Sequence, residues 1–296
     1  MSRTLNFTVT TEYDGSKLLP FLRIKAGLSS RLVKSLKRVE NGLVCNGEHI
    51  RTVDIIHTGD IISINIPDDL SEIEAKPFEL DVIYEDDDIL IVNKPPHLAM
   101  HPSHNHQGDT LANAVAYHLE KEGKTAVFRS IGRLDKDTSG VVVCALNSYS
   151  AARLTQQIKN KTINKIYYAI VSKEFQGEGT IDKPIYRPHP LHTYRAVGED
   201  GDRAVTHWRA IESKNGFTLM KIYLETGRTH QIRVHFSYLG AALVGDSMYG
   251  EKSELIDRQA LHCGEITLIH PVTSKKMSFY AELPEDMKGL LKSNIE

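Results

Sequence analysis

The densest group of reactive side chains lies in residues 132–140, which read Gly-Arg-Leu-Asp-Lys-Asp-Thr-Ser-Gly. A carboxylate in such a segment can act as a nucleophile or stabilise a positive charge that develops during a reaction. Residues 141–146 follow as an unbroken, largely β-branched apolar run, which predicts a buried strand. A polar loop held by a core strand is a common place for reacting groups. The alternative is an ordinary turn capped by Asp135 or Asp137, but this loop carries more functional side chains than a turn needs.

This loop resembles the signature loop of the RluA-type pseudouridine synthases, whose pattern is His-Arg-Leu-Asp-x-x-Thr-Ser-Gly. The positions that match are Arg133, Leu134, Asp135, Thr138, Ser139 and Gly140. Gly132 stands where the family usually has His. The resemblance implies that Asp135 is the catalytic residue and that Arg133, Leu134 and Thr138 contact the substrate.

A second segment, residues 226–235, is similar to the family motif Thr-Gly-Arg-x-His-Gln-Ile-Arg-x-His. By itself, the segment predicts a short helix capped by Thr229 and ordinary surface arginines. The resemblance implies more: Arg233 pairs with the catalytic Asp, Ile232 walls the pocket, and Arg228 and Gln231 contact the substrate.

A third segment, residues 93–102, is similar to the family pattern Asn-Lys-Pro-x-Gly-x-x-x-His-Pro, with His97 where Gly is common. In the family this segment lines the cleft beside the catalytic loop. The resemblance therefore implies that Lys94 and His101 contact the substrate.

The strand predicted over residues 163–171 contains two adjacent tyrosines, which alternation places on opposite faces. Tyrosines in strands usually lie in the core, and we expect that of Tyr168. Lys165 and Tyr167 match the family's Lys-x-Tyr motif, in which the ring stacks on the target base. Stacking suits an enzyme that reads one flipped base, because every base has a π-face.

The implied reaction breaks the N1–C1′ bond of uridine, turns the base and rejoins it through C5. A carboxylate serves this chemistry only when it is ionised, and burial without a cationic partner favours the protonated form. Asp135 therefore needs Arg233 beside it. Direct attack on C1′, addition to C6 and a glycal-like route remain open, as does a role for Tyr167 as a base. We expect neither a cofactor nor a metal, since no redox step or phosphoryl transfer occurs.

The composition is that of a globular protein with a sizeable core. The chain has 296 residues, of which 41% are hydrophobic and 25% charged, and its net charge of −2 does not by itself indicate a nucleic-acid partner. The cysteines are three and far apart, which argues against a disulfide framework or a thiolate zinc site. No apolar run approaches the roughly 20 residues of a membrane span, and the first residues do not lead into a signal-peptide core. We expect a cytoplasmic monomer without membrane contact.

Residues 1–67 predict a small separate module. Ser29 or Ser30 can cap a helix whose Leu32, Leu36 and Val39 share one face. An Asn-Gly turn and the alternating residues 61–66 predict strands. The segment between residues 23 and 38 contains no acidic residue but six basic ones, namely Arg23, Lys25, Arg31, Lys34, Lys37 and Arg38.

A solvated charged face is the common explanation of such a stripe, but a merely soluble helix usually mixes signs. The pattern of basic helix, Val-x-Asn-Gly turn and Gly-Asp-x-Ile-x-Ile strand resembles the S4 RNA-binding domain over roughly residues 15–66. The resemblance implies that the six basic residues meet RNA phosphates.

Residues 68–78 are acidic and bracketed by prolines, which predicts a linker, and residues 79–296 then form the catalytic domain. Asp86, Asp87 and Asp88 lack the spacing of a calcium loop and predict a solvated turn. Four histidines, His97, His101, His104 and His106, suggest zinc, but a segment rich in Pro and Ser lacks the spacing of a metal site. Residues 177–203 predict a long surface insertion.

We therefore expect an α+β catalytic domain, with helices on a mixed, mainly antiparallel sheet, and a small N-terminal α/β S4-like module. The predicted function is an RNA pseudouridine synthase acting on structured RNA, with ribosomal RNA favoured over transfer RNA. An aspartic-type hydrolase is one rival, but it needs a second Asp-Thr-Gly-like loop, which is absent from the sequence. A non-catalytic RNA-binding protein is the other.

Overall fold

The N-terminal module folds around a small antiparallel sheet. The computed structural model describes residues 3–67, 73–103, 107–124 and 127–292. The elements of the module are β1 (Arg3–Thr8), a 3-10 turn (Thr11–Tyr13), β2 (Ser16–Lys17), α1 (Leu18–Ile24), α2 (Ser30–Leu36), β3 (Leu43–Cys45), β4 (Glu48–His49), β5 (Ile55–Ile56) and β6 (Ile61–Ile66). Strands pair in the order β1-β6-β3-β4, and β2 pairs with β5.

The local sequence explains these elements. The hydroxyl of Ser29 caps α2, because it accepts a hydrogen bond from the amide of Leu32. Asn46 and Gly47 both have positive φ, 50° and 91°, which is the backbone of a two-residue hairpin between β3 and β4. The helix ends at Leu36, one turn earlier than the apolar stripe predicts, so Val39 lies in the following turn.

A ten-stranded sheet organises the rest of the chain. The elements of this part of the chain are β7 (Asp81–Glu85), β8 (Ile89–Lys94), α3 (Leu111–Lys121), β9 (Arg129–Ser130), β10 (Ser139–Ala145), α4 (Ser148–Lys159), β11 (Asn164–Val171), β12 (Glu178–Asp182), β13 (Ile185–Tyr186), β14 (Ala196–Val197), β15 (Val205–Lys214), β16 (Phe217–Leu224), α5 (Gln231–Tyr238), β17 (Leu261–Ile269), β18 (Lys276–Tyr280) and α6 (Glu285–Lys292). Strands β13 and β14 form a separate two-stranded sheet. The order is β12-β15-β16-β11-β17-β10-β8-β7, with β18 on β17 and β9 on β10. Among the described residues, only β10 and β17 pair in parallel. The mixed, mainly antiparallel α+β prediction is confirmed.

Strand β10 shows why the apolar run after the reactive loop has no polar face. Val142 and Cys144 pack with α3 and α5 on one side of the sheet, whereas Val141 and Val143 pack with α4 on the other. A strand covered on both faces needs apolar side chains at every position.

Three local predictions were wrong. The segment over residues 177–203 is not only a surface insertion, because β12 is an edge strand of the large sheet and buries Ile181. Tyr168 is half-buried, and its hydroxyl donates to Glu265 at the surface of the sheet. The acidic turn is not fully solvated, since Asp88 is buried and pairs with Arg3.

The N-terminal module is docked against the catalytic domain. Arg3 donates to the Asp88 carboxylate at 2.7 and 3.1 Å, and Asn147 donates to the same group. The ring of Tyr149 packs into the module's core, and its hydroxyl donates to the Ala26 carbonyl at 3.0 Å. The predicted linker lies partly outside the described residues. Its part from residue 73 onward runs along α3, where the Asn113 amide donates to the carbonyl of Glu74. None of the helices in the described ranges is long and apolar enough to cross a membrane.

Two buried histidines link elements of the catalytic domain. His262 bonds the Ser139 hydroxyl at 2.9 Å and the Ala281 carbonyl at 3.1 Å. His235 likewise bonds the Thr206 hydroxyl and the carbonyl of Lys183. Burial lowers the pKa of both imidazoles below the usual 6.5, because desolvation disfavours the charged ring.

The lowered pKa values of the two histidines predict that the folded protein is less stable at acidic pH. Below about pH 6.5 the unfolded chain binds protons that buried His235 and His262 do not, so the free energy of unfolding should fall as pH falls through that value. We expect a loss of about 1 kcal/mol per buried histidine between pH 7.5 and 5.5. Urea unfolding followed by the fluorescence of Trp208, the single tryptophan, measures this in the catalytic domain. His262→Gln should weaken the pH dependence and the exposed His49→Gln should not; an unchanged dependence in His262→Gln would contradict the assignment.

Candidate active site

Two buried basic side chains bind the backbone of the reactive loop, residues 132–140. The ammonium of Lys94 donates to the carbonyl of Lys136 at 2.8 Å, and one guanidinium nitrogen of Arg258 donates to the carbonyl of Asp137 at 3.2 Å. The guanidinium of Arg258 in turn donates two hydrogen bonds to the carboxylate of Asp286 at the start of α6. The loop backbone is therefore fixed from two sides, which suits a site that must keep its geometry.

Lys94 does not lie in the cavity, contrary to its predicted contact with substrate. Its side chain is fully buried, and its three donors are spent on the carbonyls of Pro95, Leu98 and Lys136. Burial lowers the pKa of Lys94 to about 7, because desolvation disfavours the ammonium. The three carbonyl acceptors suit the charged form, which has three donors. Lys94 thus positions the loop.

Asp135 lies at the end of a chain of charges. Nη1 of Arg233 is 3.2 Å from a carboxylate oxygen of Asp135, as the family resemblance implied. The other edge of the guanidinium makes a bidentate interaction, with hydrogen bonds of 2.7 and 2.8 Å, with the fully buried carboxylate of Asp246. Asp246 also accepts the amides of Met248 and Tyr249, so its own orientation is fixed. Two carboxylates thus share one arginine, and Asp246 sets the direction in which it points.

His230 is a second neighbour of Asp135 that the sequence analysis did not select. Its Nε2 lies 3.8 Å from the carboxylate, and its Nδ1 is 2.8 Å from the Tyr249 hydroxyl. That hydroxyl also accepts the amide of Arg195, and burial raises the pKa of Tyr249 to about 12. Burial lowers the pKa of His230, whereas Asp135 acts in the opposite direction.

The backbone at His230 explains why this helix starts without a side-chain cap. His230 has φ 57° and precedes α5, and its own side chain makes no capping bond. Thr229 was therefore wrongly predicted as the cap. The left-handed residue turns the chain so that His230 and Arg233 both approach Asp135. A local pattern does not reveal such a turn, since only a small minority of histidines adopt the left-handed conformation.

A cavity of about 310 Å³ borders the carboxylate, lined by Asp135, Tyr167, Lys165, Arg133 and Arg228 among others. A smaller recess of about 70 Å³ shares Asp135 and Tyr167 with this cavity, and Leu134, Thr138 and Ile232 also line it. Burial raises the pKa of Tyr167 well above 10, with Cys263 and Asp135 acting in the same direction. The phenol is therefore neutral near pH 7.

The other residues predicted to contact the substrate are Arg133, Arg228, Gln231 and His101. Arg133 is exposed at the cavity mouth, and Arg228 beside it donates to Asp202 and to the carbonyl of Arg203. Gln231 is buried and spends its amide on neighbouring backbone and hydroxyl groups. His101 bonds Ser130 and packs on Phe128; burial lowers its pKa, and Arg133 acts in the same direction.

The histidine segment does not assemble as a metal site within the described residues. His97 contacts Asp137 and Asp257, whereas His101 bonds Ser130. His104 and His106 lie outside those residues. Two other groups have ligand-like spacing, Glu85 with His118 and Glu122, and Asp86 with Asp88 and His270. In the first, the ammonium of Lys124 bonds both glutamates, and in the second, Arg3 bonds Asp88.

Known proteins resemble the chain over most of its length. The family model of RNA pseudouridylate synthase matches residues 88–238, which include the loop, Tyr167 and Arg233. The chain is 39% identical to the Bacillus subtilis protein described as uncharacterized RNA pseudouridine synthase YjbO, over 90% of this chain and 95% of that protein. It is 36% identical to ribosomal large subunit pseudouridine synthase D of Pseudomonas aeruginosa, over 88% and 86% of the two chains.

A solved structure supports the same grouping. Human RNA pseudouridylate synthase domain containing 1 superposes with a TM-score of 0.57 at 26% identity, over 70% of this chain and 86% of the human chain. The sequence-based resemblance is thereby confirmed at the level of fold and of family. The chain belongs to the RNA pseudouridylate synthase family and is an RluA-type member of it, an isomerase that acts on RNA.

Proposed function

We propose that this enzyme converts specific uridines of structured ribosomal RNA to pseudouridine, with Asp135 as the catalytic residue. The observation that carries the proposal is the placement of Asp135 in the lining of a cavity that Tyr167 also lines, with Arg233 3.2 Å from its carboxylate. The side chain of Asp135 is only 20% exposed, so its charge acts in a partly desolvated place where electrostatic stabilisation is strong.

The roles follow from this geometry. Asp135 supplies the negative charge that attacks the nucleoside or stabilises a cation-like ribose while the N1–C1′ bond breaks. Arg233 donates to Asp135 and orients its carboxylate, and the imidazole of His230 lies 3.8 Å from the same group. Leu134 and Ile232 are apolar walls that exclude water from the recess.

Tyr167 is assigned to hold the detached base. Its ring borders both the cavity and the recess, and burial keeps its phenol neutral near pH 7. A neutral phenol is a poor base but a good stacking surface and hydrogen-bond donor. Stacking holds uracil while it turns, which is the stage at which the base has no covalent bond to the ribose.

Ribosomal RNA is the proposed substrate for two reasons. Four relatives at 34–38% identity are named ribosomal large subunit pseudouridine synthase D. The N-terminal module, which we propose to be S4-like and to span residues 1–67, carries a cationic surface suited to RNA backbone. Arg31, Lys34, Lys37 and Arg38 of this basic surface are exposed and have no acidic partner among the described residues. Since such RNA is cytoplasmic in bacteria and the cavity is built by one chain, we propose a cytoplasmic monomer.

The first test is release of label from RNA carrying tritium at uridine C5. The wild-type protein should release label from an unmodified ribosomal RNA transcript, and Asp135→Asn should release at least about 10³-fold less, because the amide supplies no charge. RNA binding by the variant should stay within about twofold. A transfer RNA transcript run in parallel tests the alternative substrate.

Each outcome of this assay tests one part of the proposed function. Equal release by wild type and Asp135→Asn would remove Asp135 from its role. No release by the wild type from ribosomal RNA isolated from cells lacking this protein, with binding intact, would favour a non-catalytic RNA-binding protein. Release from transfer RNA alone would overturn the substrate assignment.

The second test concerns Asp246, which orients Arg233. Asp246→Asn removes the charge that anchors the guanidinium, so Arg233 should leave its position beside Asp135. We expect kcat to fall about 10- to 100-fold with the RNA dissociation constant unchanged, because the interaction acts on the reacting group rather than on RNA binding. Asp257→Asn, which changes an exposed carboxylate, is the control. An unchanged kcat in Asp246→Asn would contradict the positioning role.

The third test concerns the basic surface. Changing Arg31, Lys34 and Lys37 to Gln should weaken binding of a ribosomal RNA transcript and lower the slope of log Kd against log salt by about 2, roughly 0.7–0.9 per lost phosphate contact. The kcat at saturating RNA should not change. The triple Gln variant of the exposed Lys173, Lys214 and Lys276 carries the same charge change elsewhere. Equal slopes for the two triple variants would show that the module does not meet the RNA backbone.

A further inference from the structure

Lys165 is a cation of the cavity that has no carboxylate partner among the described residues. It lies on β11 two residues before Tyr167, is half-buried, and lines the cavity together with Asp135. Within the described residues its ammonium makes neither a hydrogen bond nor an ion pair. The lysine opposite Tyr168 on the next strand, Lys221, behaves differently, because it pairs with Glu265 at 3.1 Å.

Of the other basic side chains that line the cavity, two are paired with carboxylates and one is exposed to solvent. Lys161 is 3.8 Å from the Glu225 carboxylate, and Arg228 bonds Asp202 at 3.1 Å. Arg133 has no partner in the described part of the chain but is exposed at the mouth. Lys165 is thus a partly desolvated positive charge inside the cavity, and such a charge is costly unless an anion joins it.

The place of its ammonium is set by Gly132. A Cβ atom built on Gly132 would lie 3.1 Å from Nζ of Lys165, so the ammonium fills the space beside that glycine. Gly132 also has φ 81°, a conformation that side chains other than Asn, Asp and His rarely adopt. The loop therefore leaves room for the lysine at a point three residues before Asp135.

We propose that Lys165 binds the phosphodiester group that flanks the target uridine. The inference rests on the proposed function, since RNA is then the ligand. Uracil and ribose are neutral, and the phosphodiester is the only anionic group that RNA offers to this site. A lysine is a point-charge partner for phosphate, and phosphate contacts fix the register of a nucleotide. With its phosphate on Lys165, the flipped nucleotide is held in the cavity that contains both Asp135 and Tyr167.

Such a contact acts on binding rather than on the bond-breaking step. It exists before and during the reaction, so its loss should raise the dissociation constant and KM and leave kcat within about twofold. We expect binding to weaken about 10- to 100-fold, the range for a hydrogen bond to a charged group. The slope of log Kd against log salt should fall by about 0.7, the value for one phosphate contact on a single strand.

The experiment measures binding of a fluorescein-labelled ribosomal RNA hairpin at five salt concentrations. The full-length protein carries Asp135→Asn to prevent turnover, with and without Lys165→Met. Lys214→Met is the control, since this exposed residue lies at the far end of the β15–β16 hairpin, about 25 Å away along an eight-residue strand. Lys165→Arg keeps the charge and should keep the slope. Thermal unfolding checks the fold of each variant, and Lys165→Gln replaces the Met variant if that one fails to fold.

The outcomes separate this proposal from the enzyme assignment. A slope lowered in Lys165→Met but not in Lys165→Arg or Lys214→Met supports the phosphate contact. An unchanged slope overturns it. If label release by Lys165→Met in the protein that keeps Asp135 falls while the slope is unchanged, the lysine contacts a neutral group of the base instead. A slope lowered equally in Lys165→Arg also overturns it. Failure of the enzyme assignment appears elsewhere, as absence of label release by the protein without any substitution.

The glycine supplies an independent check in the same assay. Gly132→Asn is compatible with the left-handed backbone but should displace the ammonium, because its Cβ would lie only 3.1 Å from Nζ of Lys165 and its amide adds further bulk. The variant should weaken hairpin binding in the Lys165 protein and have little further effect in Lys165→Met. Additive effects would contradict the shared site.

Discussion

The candidate active site depends on a cation held beside one partly buried carboxylate. Arg233 lies 3.2 Å from Asp135 and offsets the cost of placing a negative charge there. The arginine in turn is a buried cation, and Asp246 offsets its own desolvation and sets its direction. The chain of alternating charges, Asp135 to Arg233 to Asp246, ends on backbone amides after residue 246. Each member is stabilised by the next, which explains why the site needs two elements that are 98 residues apart in sequence.

The same principle holds the backbone that carries Asp135. The loop turns sharply, so its carbonyls point into the interior, where unpaired acceptors are costly. Lys94 and Arg258 satisfy two of them from β8 and from the segment before β17. Through Asp286, Arg258 also connects the loop to the last helix. The scaffold therefore reaches the reacting residue from three distant parts of the chain, and none of these groups touches the cavity.

The docked N-terminal module has a fixed orientation relative to the cavity. Its core encloses Tyr149 of the catalytic domain, and Arg3 closes an ion pair with the buried Asp88. Contacts of this kind hold the basic surface of α2 in one direction relative to the cavity. An RNA that meets both surfaces must present its uridine at a set distance from its backbone contacts, which is a way to select shape without reading sequence.

The sequence by itself determined the family, the loop that carries Asp135, the arginine beside it and most strands, because motifs and short-range alternation are local properties. Strand β6 has the predicted bounds, and β10 begins two residues and ends one residue earlier than predicted. Only the tertiary structure decided which charged side chains face the substrate. Lys94 and Lys165 are both lysines beside matched motifs, yet one spends its donors on carbonyls and the other lines the cavity. His230 and Asp246 gain their roles from a left-handed turn and a long-range ion pair. Burial and the choice of partner depend on contacts between distant segments, and a single sequence records those contacts only where a family motif happens to mark them.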